Sequence, residues 1–68
     1  MKELRRTRDI TAACQVTRAA VAVWREMGMP YTELGNRDYI YNAGEVLAWL
    51  EEHLPRRAEQ LRAWEDAR

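Results

Sequence analysis

The chain has 68 residues, of which 47% are hydrophobic and 32% charged, and its 11 basic and 11 acidic side chains give zero net charge. This length fits one small domain, near the lower limit for folding without a disulfide, a metal or a partner. Cys14 is the only cysteine and His53 the only histidine, which excludes an intramolecular disulfide and a Cys/His zinc cluster.

Two short helices joined by a tight turn are the first predicted elements. The first begins at Thr7 or Asp9 and extends through about Gln15, with Ile10 and Ala13 facing inward. We expect Cys14, beside them, to be a small buried hydrophobic side chain.

The second helix has clear signals at both ends. Thr17 is a good N-cap, so the helix is predicted from about Arg18 to Met27. It ends there because Gly28 accepts a left-handed conformation and Pro30 cannot continue a helix. The side chains predicted to form or flank its buried stripe are Val21, Trp24, Ala20 and Met27.

The segment "YTELGNRDYIYN" changes periodicity and predicts a two-stranded hairpin. Strand-forming side chains stand on both sides of Gly35-Asn36, a pair that tolerates positive φ. These strand formers are Tyr31, Thr32, Tyr39, Ile40 and Tyr41.

A third helix follows, capped by Asn42, and Pro55 predicts its end at Leu54. Its apolar face consists of Ala43, Val46, Leu47, Leu50 and Leu54, with Trp49 at the flank. The helix-prone end of the chain then carries a narrow apolar stripe formed by Leu54, Ala58, Leu61 and Trp64. This stripe is too thin to be a core by itself, so we expect it to pack back onto the domain or to pair with a second chain.

Charge is distributed unevenly along the chain. Residues 1–30 have a net charge of +3, residues 31–54 of −4 and residues 55–68 of +1. A positive N-terminal half on a neutral protein can be the footprint of a phosphate-binding surface.

The pattern of "VTRAAVAVWREMGMP" followed by "YIYNAGEVLAWL" resembles the winged helix-turn-helix of the MerR/excisionase superfamily. It is most similar to the N-terminal DNA-recognition domain of lambdoid phage terminase small subunits. The shared features are Trp24 late in the second helix, the "GMP" turn, and an apolar-apolar-x-Trp pattern formed by Val46, Leu47 and Trp49. The resemblance covers about residues 9–53.

The resemblance implies a small α+β fold, mostly helical, with one two-stranded wing. We expect residues 1–54 to form the winged helix-turn-helix domain and residues 55–68 a C-terminal helix that is available for dimerisation. The partner interface would consist of Val23, Leu54, Ala58, Leu61 and Trp64.

In that family the second helix lies in the major groove of double-stranded DNA and the wing touches the neighbouring backbone or the minor groove. The DNA-facing residues implied here are Thr17, Arg18, Ala19, Ala22, Arg25 and Glu26 on the helix and Asn36 and Arg37 on the wing tip. An N-terminal arm along the duplex would add phosphate contacts from Arg5, Arg6 and Arg8.

The exposed helix face departs from the pattern of relatives, which often carry long polar side chains there. Ala19 and Ala22 can touch a thymine methyl but cannot read hydrogen bonds, so base discrimination would fall on Arg18 and Arg25. An apolar face that includes Val23 suits a protein partner equally well. Alternatively, Val23 belongs to a wider core stripe that the C-terminal helix covers.

The leading interpretation is a small DNA-binding protein of a phage or mobile element, acting as a homodimer. One alternative is a mimic that forms mixed complexes with a phage terminase small subunit and redirects packaging. Zero net charge, the apolar helix face and the expected lack of a second, large-subunit-binding segment favour this mimic. The other alternative is an excisionase-like or regulatory protein that bends DNA or recruits a recombinase.

We expect no enzymatic activity, cofactor or metal. Glu51 and Glu52 are adjacent and therefore point to different faces of a helix, and His53 suits a helix C-terminus better than catalysis. The sequence has no glycine-rich phosphate loop and no nucleophile elbow. Because it also lacks an apolar run of about 18 residues or a signal-peptide core, we expect no membrane association and a location in the cytoplasm of a bacterial host cell.

Overall fold

A computed structural model describes residues 4–68 as four helices and one three-stranded antiparallel sheet, which confirms the α+β class. In chain order the elements are β1 (Leu4–Arg6), α1 (Thr7–Cys14), α2 (Arg18–Met27), β2 (Thr32–Gly35), β3 (Asp38–Asn42), α3 (Ala43–His53) and α4 (Pro55–Asp66). The first three residues of the predicted N-terminal domain lie outside the described residues.

Local signals in the sequence set the ends of the helices. The Thr17 Oγ1 atom accepts a hydrogen bond from the Ala20 backbone N–H at 3.1 Å, and Gly28 ends α2 with φ of 114°. The Asn42 Oδ1 atom likewise accepts from the Glu45 N–H at 3.0 Å at the start of α3. Leu54 is the single non-helical residue between α3 and α4, as Pro55 predicts.

The sheet contains one strand more than the sequence predicts. Its order is β1-β3-β2, and β1 pairs with β3 so that Arg5 lies opposite Tyr41. The sequence does not predict β1, because a three-residue segment with two arginines has no alternating apolar pattern. Its partner strand also lies more than 30 residues further along the chain. The predicted hairpin is present as β2 and β3, but Gly35 pairs with Asp38, so Asn36 and Arg37 form the turn at positive φ.

Helix α4 folds back onto α1 and α3 and completes the core. Ala58 and Leu61, predicted at a partner interface, are only 2% and 0% exposed within this one chain and are therefore not available to a second one. Leu54 and Trp64 are half-buried against the same core. The buried apolar side chains of this cluster are Ile10, Ala13, Cys14, Val21, Trp24, Met29, Tyr41, Val46, Trp49, Leu50, Ala58 and Leu61.

Arg5 joins β1 to α4 instead of extending along a duplex as predicted. It is 8% exposed, and its Nε and Nη2 atoms donate to the two carboxylate oxygens of Glu65 at 2.7 and 2.5 Å. The guanidinium also lies 5.7 Å from the ring centroid of Trp64. A bidentate pair of this kind is among the strongest hydrogen-bonded contacts available to side chains. Arg5 is therefore a structural residue, and its side chain is not free to contact phosphate.

Two large apolar side chains of α2 remain outside the core. Met27, predicted to flank the buried stripe, is 53% exposed, and Val23 is 54% exposed. Val23 is therefore not covered by α4. Val21 and Trp24, in contrast, are buried as predicted.

Cys14 lies in the core beside α4. Its Sγ atom is 3.6 Å from the carbonyl oxygen of Arg57, and burial raises the pKa of the Cys14 thiol from 9.0 to about 11. The positive charge of Arg57 lowers this pKa, but by less than burial raises it. The thiol is thus a neutral packing group at physiological pH.

No helix among residues 4–68 combines the length and hydrophobicity that crossing a bilayer requires.

The buried position of Leu61 predicts that Leu61→Ala lowers the free energy of unfolding by about 3 kcal/mol, because it removes core contacts and leaves a cavity. Denaturant unfolding at several protein concentrations measures this loss, which we expect to be independent of concentration. Ala63→Gly, at an exposed position of the same helix, is the control for helix propensity. A midpoint that shifts with protein concentration in the parent protein and not in the Leu61 variant would instead place Leu61 in an interface.

Candidate functional site

A concave surface lined by five arginines is called the basic hollow. It lies between the β1–α1 junction, one side of α2 and the tip of the β2–β3 hairpin. Its lining residues are Arg6, Thr7, Arg8, Arg18, Ala19, Ala22, Arg25, Arg37, Asp38 and Tyr39. Five of these are arginines and one is acidic, so the hollow is positive although the chain as a whole is neutral.

The geometry of α2 brings its part of the hollow onto one side of the helix. Residues four and three apart on a helix share a face, and Arg18, Ala22 and Arg25 follow this spacing. Val21 and Trp24 are buried on the neighbouring face and fix the rotation of the helix about its axis. The arginines of α2 are consequently directed toward the hairpin.

The hairpin tip is held against the β1–α1 junction by strand pairing and by an ion pair. Arg6 lies opposite Ile40 in the sheet, and its Nη1 atom donates to Asp38 Oδ1 at 2.7 Å. Both side chains of this pair are about half exposed, at 52% and 50%, so solvent screens the contact and its contribution to stability is small. The ion pair neutralises Asp38, the one carboxylate among residues 4–68 that lines the hollow.

Three arginines of the basic hollow have no acidic partner in the part of the chain that the structure describes. Among residues 4–68, no carboxylate forms an ion pair with Arg8, Arg18 or Arg37, and all three are exposed. They come from α1, α2 and the hairpin turn, respectively. A planar guanidinium that is not hydrogen-bonded to a carboxylate can donate two parallel hydrogen bonds to a phosphate. The hollow therefore offers three anion-binding groups on one open surface.

Arg25 differs from these three because its guanidinium is already engaged. Its Nη1 atom donates to the hydroxyl oxygen of Tyr41 at 2.7 Å, and its Cζ atom lies 3.9 Å from the ring centroid of Tyr39. The Tyr41 hydroxyl is in turn 2.9 Å from Thr7 Oγ1. Arg25 is therefore part of a network between α2, β3 and α1.

The three tyrosines of the hairpin segment differ in exposure: Tyr31 is 46% exposed, Tyr39 is half-buried and Tyr41 is buried. Tyr31 and Tyr39 make an edge-to-face contact at 5.5 Å across the hairpin, as expected for facing aromatic side chains. Tyr41 is 1% exposed. Tyr39 is the tyrosine named in the lining of the hollow, and Arg25 covers one face of its ring, so this face is not open to a stacking base.

Seven of the eleven residues predicted to face DNA line the basic hollow: Arg6, Arg8, Arg18, Ala19, Ala22, Arg25 and Arg37. Thr17, Glu26 and Asn36 are exposed near it but are not part of its lining, and the Thr17 hydroxyl is already used as the helix cap. Arg5 is buried elsewhere, as described above. Sequence reasoning did not place Thr7, Asp38 or Tyr39 in the site, because their position depends on the pairing of β1 with β3.

The titratable side chains outside the hollow include His53 and the acidic residues of the helices. Within residues 4–68, no three His, Cys, Asp or Glu side chains are close enough to hold a metal ion. The ring of His53 stacks on Trp49 at 4.4 Å, and its Nδ1 atom is 2.9 Å from the Trp49 carbonyl oxygen. His53 therefore packs at the C-terminal end of α3.

Comparisons of the chain with protein-family models, with curated proteins and with solved structures find no match.

Arg37 occupies the turn with φ of 64°, a conformation that costs most residues about 1 kcal/mol relative to glycine. We predict that Arg37→Gly is more stable than Arg37→Ala by about this amount, although both remove the same charge from the hollow. Thermal and denaturant unfolding of the two variants measures the difference. Equal stabilities would show that the turn does not hold residue 37 in the left-handed conformation.

Proposed function

We propose that this protein binds double-stranded DNA through the basic hollow, as a small phage or mobile-element protein similar to the DNA-recognition domain of a terminase small subunit. The observation that carries the proposal is the convergence of Arg8, Arg18 and Arg37, from three different elements, on one exposed concave surface, with no carboxylate of residues 4–68 paired to them. Phosphate contacts supply most of the affinity of such surfaces for DNA.

The order of the elements supports this proposal as well. A winged helix-turn-helix would use α1 and α2 as its helix pair, α2 as the recognition helix and the β2–β3 hairpin as its wing, with β1 as an added strand. In this arrangement α2 would approach the major groove while Arg37, at the hairpin tip, contacts the flanking backbone.

The side chains of α2 imply weak discrimination between sequences. Ala19 and Ala22 carry no polar atoms, and Arg25 is held by Tyr39 and Tyr41. Of the predicted contacts on α2, Arg18 can read guanine with a guanidinium that forms no ion pair among residues 4–68, and Glu26 can accept from cytosine. We therefore propose a mode of binding in which phosphate contacts dominate and base contacts are few.

The proposal does not include the predicted dimer seam. Ala58 and Leu61 are buried in the core of the chain, and Trp64 packs against Arg5 and Arg68 at 5.7 and 4.6 Å. The DNA contacts proposed here are those of a single copy of the chain.

A test of the DNA proposal is the double substitution Arg18→Gln with Arg37→Gln. It removes two phosphate contacts, so we expect weaker binding to a short duplex and a decrease of about 2 in the slope of log K against log salt concentration. Fluorescence anisotropy of a labelled duplex across a salt series measures both.

The matched control is Arg56→Gln with Arg62→Gln, which removes the same charge from α4, outside the hollow. We expect this control to keep most of the affinity and the slope. Equal losses for the two double variants would mean that net charge, and not the hollow, determines binding.

A second candidate function, a mimic that joins a terminase small subunit in mixed complexes, is favoured by the exposed Val23 and Met27 on α2. Light scattering of the protein mixed with such a subunit tests it. A mixed complex that Val23→Asp with Met27→Asp abolishes would support the mimic, and unchanged masses on mixing would reject it.

A further inference from the structure

We propose that Arg25 is a positioning residue of the basic hollow, which fixes the spacing of the phosphate-contacting arginines and does not itself contact DNA. This inference rests on the proposed function. It also changes the interpretation that sequence alone gives to Arg25, since an arginine on the presumed recognition helix is expected to read bases.

Two contacts use the guanidinium of Arg25 at once. Its Nη1 atom donates to Tyr41 at 2.7 Å, and the planar group lies over the ring of Tyr39 with its Cζ atom 3.9 Å from the centroid. A second ring, that of Tyr31, is centred 5.9 Å away. A planar guanidinium can stack on a ring and at the same time donate a hydrogen bond from its edge. The ammonium group of a lysine retains the charge but is not planar and cannot make both contacts in this way.

The acceptor of this hydrogen bond is itself held in place. Tyr41 is 1% exposed, and its hydroxyl lies 2.9 Å from the Oγ1 atom of Thr7. Tyr41 is also paired with Arg5 in the sheet. The contact of Arg25 is thus with a fixed point of the core, and not with a mobile surface group.

The network of Arg25 therefore joins the three elements that carry the unpaired arginines. Thr7 precedes Arg8 in α1, Arg25 lies about two turns after Arg18 in α2, and Tyr39 follows the turn that contains Arg37. Binding of several phosphates depends on the distances between the groups that contact them, and a shift of one element moves its arginine away from its phosphate. Loss of the Arg25 contacts should therefore weaken DNA binding while the charge of the hollow stays the same.

The experiment compares Arg25→Lys, Tyr41→Phe and the double variant with the parent protein, each shown to be folded by circular dichroism. The control is Arg56→Lys, the same exchange at an exposed site on α4. We expect each single variant to bind a short duplex about tenfold more weakly, because a displaced arginine loses about one phosphate contact. The double variant should be little weaker than either single one, because both remove the same contact, and the control should be unchanged.

Because Tyr41 is buried, it cannot contact DNA, and its effect on affinity must pass through Arg25 or the fold. Parent-like binding by Arg25→Lys would assign Arg25 to direct charge contact with phosphate and overturn the proposal. Additive losses in the double variant would overturn it as well, since they would show that the two side chains act independently.

A measurement on the free protein separates this proposal from the proposed function. Over an aromatic ring, the Arg25 δ-protons should resonate upfield of their random-coil position in NMR spectra and move toward it in Tyr41→Phe. An unshifted Arg25 resonance in the parent protein would overturn the positioning role whatever the protein binds. Failure of the parent protein to bind duplex DNA, with the upfield shift present, would instead overturn the proposed function.

Discussion

The burial of α4 is the constraint on which the rest of this structure depends. A chain of 68 residues has few apolar side chains to spare, and without Ala58 and Leu61 its core would be open along α1 and α3. Once α4 is in place, Glu65 lies where Arg5 can reach it. This pair fixes β1, whose strand pairing brings the β1–α1 junction beside the hairpin. A core contact at one end of the chain thus determines the shape of the basic hollow at the other.

Sequence reasoning predicted the elements whose signals are local. Thr17, Gly28, Asn42 and Pro55 act through their own backbone or the next turn, so the ends of α2 and α3 could be placed from the residues alone. The strand β1 could not, because its pairing with β3 is a long-range contact of a short, charged segment. The packing of α4 could not be predicted from the sequence for the same physical reason, because its narrow apolar stripe fits a partner chain as well as the core of the same chain.

The arginines are the residues whose roles in the site could not be predicted from the sequence. In sequence they are equivalent basic residues, but the structure gives them four different environments. Arg5 is buried in a bidentate pair, Arg6 is neutralised by Asp38, and Arg25 is held between Tyr39 and Tyr41. Within residues 4–68, the arginines of the hollow that form no ion pair are Arg8, Arg18 and Arg37. Charge patterning identified the positive half of the chain, whereas tertiary contacts decide which of its charges are available to a ligand.

The most direct test of the account is an NMR titration of the isotope-labelled protein with a short DNA duplex. We expect the largest changes in amide and arginine side-chain resonances at Arg18, Ala22 and Arg37, around the basic hollow, with little change on the exposed side of α4 at Arg56 and Glu59. Changes confined to Val23 and Met27, or no change at concentrations that saturate a weak DNA-binding protein, would contradict the assignment of the hollow as a DNA-binding surface.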